Sequence, residues 1–197
     1  MAAGKVCTGF SKPYVALYTV SDGTITYTSG QKLARGVDVN IEPETTDENK
    51  FYADNVEAES AGKKFSGGTV TLTVDGLLVA AEKLIMGLPT PSGSSDAWLP
   101  YDDDQNMPYV GIGFIARYQS DGVETFSPRV LAKCQFNEVP DSAATQEEEI
   151  DWQTQELTAS IFRSDDAKHT WKWIPASDYS TEAAAEAALK TKLGIAG

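Results

Sequence analysis

The chain has 197 residues, with 16 Lys and Arg against 29 Asp and Glu, a formal net charge of −13 and 41% hydrophobic residues. That length and composition suit one packed domain with arms, and the acidic surplus disfavours direct binding to phosphate backbones or anionic lipid headgroups. The longest apolar run, 77–81, is far below the roughly 20 residues a spanning helix needs, and no apolar leader opens the chain, so it is expected to stay in the cytoplasm where it is made.

In chain order, the first elements are two strands, 15–20 and 24–28, joined at Asp22-Gly23. Asp-Gly supplies the positive φ angles that a primed hairpin turn needs. A third strand is expected at 37–41. The stretch 42–68 then turns acidic and polar, with Pro43, Gly67 and Gly68 but also Phe51 and Tyr52, and reads as a long functional loop. Strict alternation of Val70, Leu72 and Val74 with Thr69, Thr71 and Thr73 marks a half-buried strand.

A helix near 76–87 follows, with Asp75 as N-cap, Leu77, Ala81, Leu84 and Ile85 on one face, and Gly87 in the left-handed C-terminal position. The segment 89–108 is a loop rich in Pro, Gly and Ser. The strand 109–119 places Ile112, Phe114, Ala116 and Tyr118 on one face. Asp121-Gly122 makes the second hairpin turn, and 129–136 places Val130, Ala132, Cys134 and Phe136 on one face.

From 138 to 156 the chain holds seven acidic residues and no Lys or Arg. Strands are expected at 154–162 and 168–174. A second helix at 180–193, within a C-terminal arm at about 176–197, carries Glu182 early and Lys190 and Lys192 late, matching the helix dipole. Its thin apolar face predicts an external arm that docks on something or frays when alone. The fold expected from the residues is therefore mainly β, an antiparallel sandwich or barrel with flanking helices, in a single domain spanning 1–197.

Catalytic signatures are weak. The lone histidine, His169, falls in the expected strand 168–174 on the face of Trp171 and Trp173, where packing explains it better than general base chemistry. Asp102, Asp104 and Asn106 have the opening spacing of a calcium loop. Met107 stands where that loop needs glycine, however, and Gly113 where it needs glutamate. Gly111-Ile112-Gly113 lacks the rest of a nucleotide fingerprint and marks a bulge or a close backbone approach. Cys7 and Cys134 form no paired motif and are expected to be reduced, mostly buried thiols. No cofactor or metal is expected, and the chain does not read as an enzyme. Trp171 and Trp173 leave one rival reading, a carbohydrate-binding β-sandwich module; a jelly-roll hydrolase stands far behind.

Four segments carry a resemblance: GVDVNIEPETTDENKFYADNVEAESAG (36–62), GGTVTLTVDGLLVAAEKLIMGL (67–88), YVGIGFIARYQSDG (109–122) and CQFNEVPDSAATQEEEIDWQTQELTASIFR (134–163). In this order they resemble the major tail proteins of long-tailed, non-contractile bacteriophages of Gram-positive hosts. The resemblance implies a structural virion protein, the tail tube subunit, with a β-sandwich or barrel of the tail-tube type. It further implies rings of six subunits stacked around a tape-measure protein and tube-end proteins, with DNA passing the lumen unbound. The protein would reside in the host cytoplasm during assembly and then in the virion tail.

Under that resemblance the 42–68 segment becomes the arm between rings, with Phe51, Tyr52 and Asn55 as its contacts. Glu147, Glu148, Glu149 and Asp151 become candidate acidic lumen or loop residues. Carboxylates would repel passing phosphates within about 8–10 Å of the wall at physiological salt. The partners expected are copies of the chain itself, and no membrane.

Overall fold

The structure, a computed structural model, describes residues 4–89, 98–145 and 152–195, with backbone alone at 49, 51–53, 56–58, 60 and 61. It is mainly β and antiparallel, with two helices. Strands β1 (Val6–Ser21), β2 (Thr24–Lys32), β3 (Gly36–Thr45), β6 (Phe65–Val74), β7 (Val110–Ser120), β8 (Val123–Phe136), β9 (Gln155–Phe162) and β10 (Lys172–Trp173) form one sheet. Strands β4 (Asn49–Ala53) and β5 (Val56–Ala61) form a separate hairpin. Helix α1 spans Val79–Met86 and α2 spans Glu182–Lys192.

The main path runs β2-β1-β7-β8-β9-β6-β3, with β10 added to β8. It folds over itself because its two longest strands change partners along their length. The middle of β8, Val130 and Leu131, lies beside β10, whereas its last residues, Lys133–Phe136, pair with β9. β1 pairs with β2 from Tyr14 onward and with β7 from Val6 to Leu17. The start of β3 thereby reaches β1: the Phe10 ring fills the space where a Gly36 side chain would stand, and Leu33 N–H donates to the Pro13 carbonyl at 2.9 Å.

Both Asp-Gly hairpin turns form as the residues demand. Asp22 and Gly23 take φ of 49° and 73°, and Asp121 and Gly122 take 50° and 80°. The main core lies inside the fold, with Val70, Leu72 and Val74 from β6, Leu157, Ala159 and Ile161 from β9, and Ile85 and Met86 from α1.

Helix α1 begins later than the sequence suggests. Its N-cap is Leu78, without a side-chain cap, while Asp75 accepts from Arg35 N–H at 2.9 Å and from the Arg35 guanidinium. An ion pair across the β3–β6 hairpin outcompetes capping at that carboxylate, and holds its pKa below the usual carboxylate value. The other end is as expected, with Gly87 in the left-handed region at φ 63°.

Helix α2 docks on its own sheet. Ala185, Leu189 and Leu193 are buried in a second core with Tyr14, Ala16, Ile115, Phe126 and Val130. The Gly111-Ile112-Gly113 step of β7 makes this docking possible. A Cβ on Gly113 would meet Leu189 Cδ1 at 2.6 Å, and one on Gly111 would meet Tyr27 Cε1 at 2.4 Å. β7 is therefore buried on both faces over most of its length, not on one, and β8 shares that burial.

A bulge between Ser11 and Tyr14, with Lys12 at φ 57°, completes the seat. Lys12 Nζ and Tyr14 Oη donate to Glu186 at 2.5 Å each, and Ser11 Oγ donates to Glu182 at 2.5 Å. Thr181 caps the helix by accepting from Ala184 N–H.

Candidate assembly surfaces

The stretch 42–68 is ordered β structure, not a loop. β3 and β6 run on as an antiparallel ladder as far as Thr45 and Phe65, and Thr46 N–H then donates to the Lys64 carbonyl at 2.8 Å. Beyond that rung β4 and β5 pair with each other, from Asn49↔Ala61 to Ala53↔Val56. The turn is Asp54-Asn55, at φ 50° and 63°, two residue types that tolerate the left-handed region better than other non-glycine residues. The backbone of the hairpin forms a two-stranded ladder of its own, apart from the main sheet.

Of the expected arm contacts, Phe51 and Tyr52 lie in β4, opposite Glu59 and Glu57 in the ladder, and Asn55 sits exposed at the tip. Their bearing on another copy is a question of assembly. Glu147, Glu148, Glu149 and Asp151 lie outside the described residues.

The sheet ends in two strands with one side unpaired, β2 and β3. An unpaired side presents backbone donors and acceptors that another chain can complete. β3 adds a second feature. Its alternation puts Val39 and Ile41 toward the core and Asp38, Asn40, Glu42 and Glu44 outward. The register continues this outer face across Thr69, Thr71 and Thr73 of β6 and Glu156, Thr158 and Ser160 of β9. The result is a sheet face of carboxylates, hydroxyls and an amide, bordered at the end of β9 by the half-buried Phe162 ring, which follows the same alternation.

Next to it, Gln135 and Lys133 extend the face on β8. Lys133 does not neutralise it, because its ammonium pairs with Asp165 at 2.8 Å and lies 4.4 Å over the Tyr109 ring. That ammonium, with the Tyr18 hydroxyl behind it, holds the Asp165 carboxyl below its ordinary pKa. The acidic face is a signal that sequence reasoning missed: 37–44 alternates apolar and polar as strictly as 69–74, but Glu42 and Glu44 fall in the acidic stretch 42–68 and hide the continuation of the strand.

The remaining chemical candidates dissolve on inspection. His169 is not in a strand; it occupies a turn at φ 53°, where Nδ1 lies 3.0 Å from the Ser164 carbonyl and Asp166 accepts from Thr170 N–H at 2.9 Å. The expected strand 168–174 shortens to two residues because this turn uses up its first half. Trp171 stacks on Phe65 at 4.3 Å and packs on the main core, whereas Trp173 meets Tyr27 edge-on under α2. The two indoles thus serve different cores and share no platform.

Asp102 accepts from Asp104 N–H at 3.0 Å within its own turn, and no cluster that could hold a metal occurs among the described residues. Cys134 is buried and Cys7 exposed, both free, so only one of the two thiols is sequestered as expected. Among the described residues no helix is long and apolar enough to cross a membrane.

No protein-family model matches the chain, and no curated protein shows significant similarity to it.

Proposed function

We propose that this protein is a structural subunit that polymerises with copies of itself into stacked rings, the tube of a non-contractile phage tail. The observation that carries the reading is the β4–β5 hairpin, an arm whose ladder is separate from the main sheet. An isolated two-stranded hairpin is marginal in water, so an arm of this kind gains its stability from another surface.

The unpaired sides of β2 and β3 supply the second contact. Head-to-tail joining of unlike edges closes a ring when the rotation closes, and an arm reaching along the axis turns rings into a stack. The outer face of β3, β6 and β9 is the wall we assign to the lumen. Its carboxylates repel phosphate while its hydroxyls keep it wetted, so DNA slides past without adhering. The four segments of tail-protein character support the same reading.

Sedimentation of the purified protein over a range of concentrations tests it, with negative-stain images of the largest species. Rings or hollow tubes are expected. A monomer at every concentration, with or without other tail components, contradicts it.

A further inference from the structure

Two cations stand together without a counter-ion among the described residues. Arg129 on β8 and Lys172 on β10 lie on one side of the β8–β10 ladder, where Lys172 is opposite Leu131. Arg129 donates from Nη2 to the Tyr118 hydroxyl and lies 5.6 Å over that ring, while its Nε is buried with no partner. Lys172 Nζ lies 5.3 Å over the Trp171 ring. Neither has a carboxylate partner among the described residues. Burial, and then the Arg129 charge, holds the Lys172 ammonium below its ordinary pKa. In a chain of net charge −13, two half-buried cations left unneutralised are an unfinished site.

We propose that Arg129 and Lys172 receive the acidic tip of the β4–β5 hairpin from a second copy of this chain, with Asp54 and Glu59 as the carboxylates. The inference rests on the self-assembly reading above and names the two sides of one of its contacts. Charge complementarity selects the occupant: residues 51–61 contain Asp54, Glu57 and Glu59 and no Lys or Arg, and Asp54 and Glu59 are exposed.

Geometry excludes the chain's own tip. Trp171, beside Lys172, stacks on Phe65, which is the base of the same arm. Asp54 turns the hairpin beyond the Thr46–Lys64 rung and the whole β4–β5 ladder, so tip and receiving site lie at opposite ends of the arm. A contact from tip to base is heterologous, cannot close within one molecule, and repeats as an open stack.

Carbodiimide cross-linking of the assembled full-length protein, prepared from mixed light and heavy isotope copies, tests the contact. Peptide mass spectrometry is expected to find Lys172 joined to Asp54 or Glu59 of a differently labelled copy. Links from Lys172 only to acidic residues of 138–156, or none while other links between copies form, overturn the proposal. Lys172→Glu and Asp54→Lys are each expected to raise the critical concentration for assembly by about tenfold, and the pair together to return it to within about threefold. Unchanged far-ultraviolet circular dichroism excludes misfolding as the cause.

A wild type that assembles while Lys172→Glu assembles equally well contradicts this contact alone. A wild type that never assembles contradicts the self-assembly reading and this contact with it. Retardation of duplex DNA by the wild type but not by Lys172→Gln would assign the pair to phosphate and overturn the proposal.

Discussion

Lys12 and Glu186 meet at 2.5 Å across the gap between a bulged β1 and helix α2, and the Tyr14 hydroxyl reaches the other oxygen of the same carboxylate at 2.5 Å. The Lys12 ammonium, then the Tyr14 hydroxyl, pulls the Glu186 pKa down to about 2 from 4.5. A carboxylate with a depressed folded pKa contributes stability that is full above its unfolded value and fades as pH falls toward the folded one. Docking of α2 is therefore expected to weaken between about pH 4.5 and 2, read by fluorescence of Trp173 under the helix.

Glu186→Gln removes the charge and most of this dependence. Allowing for solvent screening at a carboxylate near the surface, the loss at neutral pH is expected to be roughly 1–2 kcal/mol. Equal acid sensitivity in Glu186→Gln and wild type would show that another group controls the helix.

Gly113 is expected to resist enlargement. A methyl there would displace Leu189, whose Cδ1 stands 2.6 Å from the site, so Gly113→Ala should cost about 1–3 kcal/mol by overpacking. Leu189→Ala in the same chain relieves the nearer clash, leaving Leu193 Cδ1 at 2.8 Å, and the double variant should be less destabilised than the sum of the two changes. Denaturant midpoints of the four proteins decide it; strict additivity would place the clash elsewhere.

These two seats show what was legible and what was not. The alternation at 69–74, both Asp-Gly turns and the left-handed Gly87 follow from local chemistry, and they hold in the fold because nothing distant competes for those residues. Asp75 reads as a cap until Arg35, forty positions away in sequence, takes its carboxylate. Helix α2 reads as an arm without a seat because its own apolar stripe is thin; the missing half of the contact is the absence of side chains at Gly111 and Gly113, which no helical pattern encodes. The 42–68 stretch does not read as strands, since Asp54-Asn55 is a weaker hairpin signal than Asp-Gly. The cation pair was invisible because Arg129 and Lys172 meet only through the β8–β10 ladder.

The two thiols should differ sharply in reactivity. Cys7 is exposed, whereas burial excludes reagent from Cys134 and pushes its pKa up. An aromatic disulfide reagent is expected to titrate one thiol in the native protein and the second only after unfolding. Two fast native thiols would mean that the main core opens readily around Cys134.

Charge on the outer face of β3 can be reversed without touching the core. Asp38→Lys, Glu42→Lys and Glu44→Lys together are expected to leave the fold and assembly intact while making the product bind duplex DNA in a salt-dependent way. Loss of assembly instead would place this face in a subunit contact and not on the lumen.

Trimming the arm separates assembly from folding. The cut belongs at 47–62 and not at 42–68, because Glu42–Thr45 and Phe65–Gly68 are rungs of the main sheet and Phe65 carries Trp171. Replacing 47–62 by a two-residue turn should shift the melting midpoint by less than about 3 °C, since the ladder of the hairpin is separate from the main sheet.

Negative-stain microscopy of the intact and arm-trimmed proteins at matched high concentration puts the central claim to the test most directly. Stacked rings from the intact chain, with single rings or monomers from the trimmed one, are expected. Tubes of equal length from both, or none from the intact protein under any condition, would contradict the account.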